Sequence, residues 1–170
     1  ATSGPAATSP IPSFPAVDIV MTHGPPHGRL DETSRDLCVG CPHLLRAVSR
    51  ARPRLHCFGH IHEAWGAERV RWEEPEEEEE KELPSAAQAG GEWKIKSVTL
   101  CDVDEQDVLR ERAAYVDVGK ESACPLEWGR ETLFVNASIM SRRYRPEQAP
   151  WRVDLELPFV GVEPEGEVEE

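Results

Sequence analysis

The sequence predicts a mixed α/β fold. Three observations carry that expectation: an apolar strand over residues 17–21, an amphipathic helix over residues 41–52, and a second apolar strand over residues 55–58. Strand, helix and strand in that order are most simply a right-handed crossover between parallel neighbours. The carboxyl ends of both strands then share one rim, the edge at which open α/β sheets bind ligands.

The elements follow in order. Residues 1–15 are rich in Ala, Ser, Thr and Pro and read as an unstructured lead-in. Val17, Ile19 and Val20 make a short buried strand that breaks at Gly24-Pro25-Pro26, which cannot continue a ladder. A polar loop runs to Gly40. The helix over residues 41–52 has Pro42 in its first turn, an apolar stripe of Leu44, Leu45 and Val48, basic residues at its end and Pro53 as its stop. Leu55-His56-Cys57-Phe58 is the next strand. Residues 67–72 could form another, with Val70 and Trp72 on one side. Residues 73–91 read as an acidic insertion ending in Gly90-Gly91. Residues 93–100 alternate with a phase slip and read as a strand. Residues 104–114 read as a short helix with Asp104 as its N-cap. Residues 132–136 form an apolar strand, and residues 151–157 alternate Trp151, Val153, Leu155 and Leu157 against polar neighbours as a half-exposed strand. The tail from residue 159 is loose and acidic.

At 170 residues the chain is long enough for one domain with a real core. Its net charge is −13, and the Glu-rich runs at 73–82 and 163–170 contribute −7 and −5, so all but one unit lies in them. Such runs are solvated rather than packed. No basic patch of the kind a general nucleic-acid binder needs is present, and no stretch is apolar enough to span a membrane. There is no charged-then-apolar leader, and the five cysteines are an odd number, so reduced thiols in a cytoplasmic setting are expected. Cys38 and Cys41 have CxxC spacing, but without a partner pair or a redox-fold context they read as structural.

The chemistry concentrates in histidines. Gly59-His60-Ile61-His62 follows the second strand, and in extended backbone residues i and i+2 project to the same side. His23, in Thr22-His23-Gly24-Pro25-Pro26, follows the first strand. The topology therefore brings three imidazoles toward one rim, and neutral imidazole is a good ligand for divalent transition metals. Three histidines with an open position would suit a single zinc ion. A pair of metals needs bridging oxygen ligands that this stretch hardly offers, since Asp18 lies inside a strand, Asp31 in the loop and Glu63 beside His62. Spacing alone leaves open whether His60 and His62 are ligands. His27, His43 and His56 read as surface or satisfied core histidines, with His56 facing a polar layer. Asn136 could support the rim or simply end its strand, and Trp65 could wall a pocket or sit in the core.

The segment from Asp18 through Thr22-His23-Gly24-Pro25-Pro26 to Asp31 resembles the fourth motif of calcineurin-like metallophosphoesterases. Arg52-Pro53-Arg54-Leu55-His56-Cys57-Phe58-Gly59-His60-Ile61-His62-Glu63 resembles the fifth, in wording close to the metallophosphoesterase-domain-containing phosphodiesterases. Residues 132–138 and 150–158 resemble that subgroup's last strands. The resemblance implies part of a four-layer αββα sandwich with mixed sheets. It implies two divalent metal ions (manganese, iron or zinc), His23 and His60 holding one and His62 the other. The implied activity is hydrolysis of a phosphoester, more specifically a phosphodiester, by water activated between the metals.

The family's first three motifs, an Asp-x-His, a Gly-Asp pair and a Gly-Asn-His, are not in these 170 residues. The chain is therefore expected to be the carboxyl-terminal part of the domain over residues 16–158, with the amino-terminal half missing as a partner. It would come from a longer enzyme, a truncated gene model or a divided gene, and would be a poor catalyst alone. Its catalytic residues are unknown on this reading. The competing readings are an inactive remnant that keeps the fold for interaction, and a single zinc site formed by His23, His60 and His62.

Overall fold

A computed structural model describes residues 10–73 and 94–158. The expected lead-in up to residue 9, the acidic insertion from residue 74 and the tail over 159–170 lie outside the described residues. The elements in chain order are β1 (Ile19–Met21), α1 (Pro42–Ala51), β2 (Leu55–Phe58), β3 (Gly66–Trp72), β4 (Ile95–Leu100), α2 (Glu105–Glu111), β5 (Ala114–Asp117), β6 (Glu131–Asn136) and β7 (Trp151–Asp154). A single 3-10 turn spans His62–Ala64.

The fold is mixed α/β with a mixed sheet. Five strands lie in the order β1-β2-β6-β3-β4. β1, β2 and β6 are parallel, with Val20 opposite His56 and His56 opposite Phe134. β3 runs antiparallel to β6, and β4 antiparallel to β3. β1 is an edge strand whose outer residues Ile19 and Met21 are exposed while Val20 is buried. The expected strand–helix–strand crossover is present. α1 begins at Pro42 and ends where Arg52 adopts a left-handed conformation and its N–H closes on the Val48 carbonyl. Arg54 ties β2 to β1 twice, through its N–H to the Asp18 carbonyl and its Nε to Asp18 Oδ1 at 2.8 Å.

The sheet is covered on both faces. On one, Leu44, Leu45 and Val48 of α1 pack over Phe58, Val70, Trp72 and Phe134. On the other, Ala67, Leu133 and Val135 meet Val116, Trp151 and Val153. Each large side chain so buried contributes about 1.5–3 kcal/mol of transfer free energy. β6 is buried along its whole length because it is the middle strand of five.

The far end of the chain departs from expectation. β7 covers only Trp151–Asp154 and does not join the main sheet. It pairs in parallel with β5, a strand the sequence reading did not anticipate. The expected helix over 104–114 stops at Glu111, where Arg112 turns left-handed. Asp104 is its N-cap as expected, Oδ1 accepting from Gln106 and Asp107 N–H. The strand expected from residue 93 is described from Ile95 onward.

Candidate metal centre

Two of the three predicted histidines meet. Thr22 N–H continues the β1–β2 ladder to the Cys57 carbonyl, and Gly59 N–H returns a bond to the His23 carbonyl at 3.0 Å. These backbone bonds hold the two motif loops side by side at the carboxyl ends of β1 and β2. Across the gap, His23 Nε2 lies 3.0 Å from His60 Nδ1, with both side chains exposed. Two nitrogens coordinating one cation at about 2.1 Å, at right angles, stand about 3.0 Å apart. At that distance the two rings share an N–H···N hydrogen bond, and with that proton displaced the same two nitrogens have the chemistry, and the spacing of adjacent octahedral ligands, to share one divalent transition metal. Both loops also line a cleft of about 370 Å³ bounded by Thr22, Gly24, Pro25, Cys41, Leu44 and His60.

The backbone between His60 and His62 is not extended, so the expected i, i+2 projection does not apply. His60 has φ +74°, and Ile61 N–H closes back on the Gly59 carbonyl at 2.9 Å. This is a γ-turn of the rare, strained kind. His62 then opens the 3-10 turn, its ring edge-on to Tyr144 at 5.2 Å between centroids and its carbonyl accepting from Gln148 Nε2 at 2.8 Å. Among the described residues no group of three or more His, Cys, Asp or Glu side chains stands close enough to hold a metal. The described site is a pair of imidazoles, and the His62 ring two residues on packs against Tyr144 instead.

The turn is held from below by Asn136, at the carboxyl end of β6. Its Nδ2 donates to the Leu30 carbonyl at 3.0 Å and the Ile61 carbonyl at 2.9 Å. Its Oδ1 accepts from Ser138 N–H and Ser138 Oγ. Asn136 is fully buried and uses all of its donors. It is thus a positioning residue for the segment that carries both His60 and His62.

His56 does not face a polar layer. It is fully buried, against Phe58 and Phe134 with centroids at 5.1 and 5.5 Å. Its Nε2 lies 2.9 Å from Thr22 Oγ1. Burial lowers its pKa to about 4, so the ring is neutral at ordinary pH. Thr22 directly precedes His23, so this buried contact fixes the first motif loop.

Two of the three nearby carboxylates, Asp31 and Asp18, are committed elsewhere. Asp31 Oδ2 accepts Gly28 and Gly40 N–H at 2.9 and 2.7 Å, with the side chain almost wholly buried. Asp18 pairs with Arg54. Trp65 is half-buried: its ring packs on Trp151, its Nε1 donates to the Ala149 carbonyl, and it lines a cavity of about 540 Å³ with Asp31, Glu32, Glu63, Glu68 and Arg142. All five cysteines are free thiols. Asp31 beside Cys38 pushes that thiol's pKa up, which disfavours the reactive thiolate.

No family model matches the chain. It is similar to metallophosphoesterase domain-containing protein 1 of Homo sapiens, 56% identical over 52 residues, which is 29% of this chain and 16% of that protein. The Mus musculus protein of the same name matches to the same extent. A UPF0046 protein of Caenorhabditis elegans is 47% identical over 51 residues, 29% of this chain and 13% of that one. The chain thus spans about a sixth of the length of the curated relatives it matches. No helix among the described residues is long and apolar enough to cross a membrane.

Proposed function

We propose that this chain belongs to a metal-dependent phosphoester hydrolase, acting on phosphodiesters. The observation that carries the reading is the His23–His60 pair at the carboxyl ends of two parallel strands, its nitrogens spaced for one shared cation. The similarity to the metallophosphoesterase domain-containing proteins of human and mouse supports it. On this reading His23 and His60 hold one divalent metal, manganese, iron or zinc, and His62 helps hold a second. The remaining ligands and the rest of a four-layer αββα sandwich come from an amino-terminal half of the domain. When bound, such cations supply Lewis-acid charge to a phosphoryl oxygen and make water a nucleophile near neutral pH.

The chain's own residues prepare that chemistry. The γ-turn aims the His60 nitrogen across the gap toward His23. Asn136 fixes the carbonyl between His60 and His62, and Thr22 with His56 fixes the loop before His23. A phosphoester approaches through the cleft beside His60.

The test is calorimetric titration of the chain with manganese and zinc, beside hydrolysis of a chromogenic phosphodiester by the longer protein. Saturable binding that His23→Ala and His60→Ala abolish, with turnover lost in His23→Ala and His62→Ala, is the expected result. Full turnover in both His23→Ala and His62→Ala removes the assignment. The described site's restriction to two converging donors favours one alternative, a fold kept for interaction without turnover. Under it, no binding depends on these histidines.

A further inference from the structure

The segment Ser141-Arg142-Arg143-Tyr144-Arg145 carries three arginines and no carboxylate in a chain whose net charge is −13. It forms a hairpin turn closed by the Met140–Pro146 bridge, with Ser141 N–H on the Arg145 carbonyl and Tyr144 N–H on the Ser141 carbonyl. That pattern puts the fourth position in the left-handed region, where glycine fits best. Tyr144 occupies it instead, at φ +55°. A bulky side chain held at positive φ calls for a reason in its surroundings. Here the ring stands edge-on to His62, and Gln148, just past the turn, bonds the His62 carbonyl.

Arg142, Arg143 and Arg145 are exposed, and none pairs with a carboxylate among the described residues. Arg142 shares a cavity wall with Glu32, Glu63 and Glu68, which offset its charge. Arg143 and Arg145 have only Glu147 as a nearby carboxylate in sequence. Guanidinium is the side chain best shaped for bidentate contact with a phosphoryl group.

We propose that this turn is an anion-recognition arm of the site. Arg143 and Arg145 take a second phosphoryl group of the substrate, remote from the bond that is cut, and Tyr144 holds the arm against His62. Substrates with two phosphoryl groups are thereby preferred over those with one. This assignment rests on the phosphoesterase reading for its purpose, but the binding itself needs no metal.

The probe is inorganic pyrophosphate, titrated into the full chain in EDTA at low salt and mildly alkaline pH, with inorganic phosphate as comparison. Pyrophosphate is expected to bind more tightly than phosphate, to weaken as salt rises, and to shift the NMR signals of the His62 ring. Arg143→Gln with Arg145→Gln should weaken it roughly tenfold or more, and Arg142→Gln much less. Tyr144→Gly, which suits the turn's backbone, should keep the binding and lose the His62 shift. Equal affinity in the wild type and the Arg143/Arg145 double variant overturns the proposal, as does binding without any response at His62. So does binding of an oligonucleotide or of anionic phospholipid vesicles where pyrophosphate fails. Because EDTA is present, loss of the metal reading leaves this result standing, and loss of this result leaves metal binding to His23 and His60 untouched.

Discussion

His56 Nε2 sits 2.9 Å from Thr22 Oγ1, and that hydroxyl donates onward to the Gly24 carbonyl at 2.8 Å. The threonine proton is committed to the carbonyl, so the imidazole must donate from Nε2. Its Nδ1 is then a bare lone pair in an apolar pocket, and it has no hydrogen-bond partner among the described residues. A proton on Nδ1 would put an unpaired charge beside Phe58 and Phe134.

This arrangement makes stability depend on pH with a definite sign. The His56 pKa is about 4 in the fold against 6.5 in the unfolded chain. The contribution is complete above the unfolded value and is lost as pH falls toward the folded one, because only the unfolded chain takes up a proton in between. The loss amounts to about 3 kcal/mol between neutral pH and pH ~4. Urea denaturation across that range should show it. His56→Gln keeps a donor toward Thr22 but does not titrate, and it should flatten this limb. An acid limb unchanged by that substitution would remove His56 as its source.

Asn136→Ala leaves the carbonyls of Leu30 and Ile61 without their buried donor. The expected cost is about 2–4 kcal/mol in chemical denaturation. Zinc affinity of the His23–His60 pair should fall by roughly tenfold or more, as it does when residues that orient ligands are removed. Calorimetry at a temperature where the variant stays folded separates the two effects.

At residue 60, glycine and alanine are expected to differ. Both substitutions remove the imidazole, so both should abolish metal binding. His60→Ala keeps a Cβ at positive φ, whereas His60→Gly releases that strain. His60→Gly should therefore be the more stable of the two by about 1 kcal/mol, despite glycine's usual entropic penalty. Thermal denaturation of the pair measures the backbone term, and equal melting temperatures would argue against a strained turn.

Gly40→Ala probes the loop that Asp31 organises. A Cβ there would lie 2.4 Å from the Pro26 carbonyl oxygen and 2.7 Å from Asp31 Oδ2. The first neighbour is backbone and cannot swing aside. A loss of about 2 kcal/mol or more is expected, with the loop between His23 and α1 rearranged. Amide hydrogen exchange at Gly28 and residue 40, both donors to Asp31, reports the rearrangement directly.

The parts of the fold that proved legible were those with a strong local signal. α1 is bracketed by Pro42 and Pro53 and carries an apolar stripe, so its limits were readable to a residue. Its place between β1 and β2 made a parallel crossover the simplest connection, and that placed His23 near His60. β5 was not legible, since four residues directly after a helix carry little periodicity and owe their strand form to pairing with β7. The γ-turn was hidden because positive φ is signalled by glycine, and position 60 is histidine. The role of Asn136 was hidden for another reason: its acceptors lie 106 and 75 residues away in sequence. Tyr144 gave the same false cue as His60, a large side chain where the backbone favours glycine.

Among the described residues β1 pairs only with β2, and there its far side keeps unpaired N–H and C=O groups flanked by Ile19 and by Met21, which is 77% exposed. A bare rim of that kind is a template on which another chain can build. Preparations of this polypeptide should therefore self-associate as concentration rises, and dilution, more than ionic strength, will govern how long they stay monodisperse.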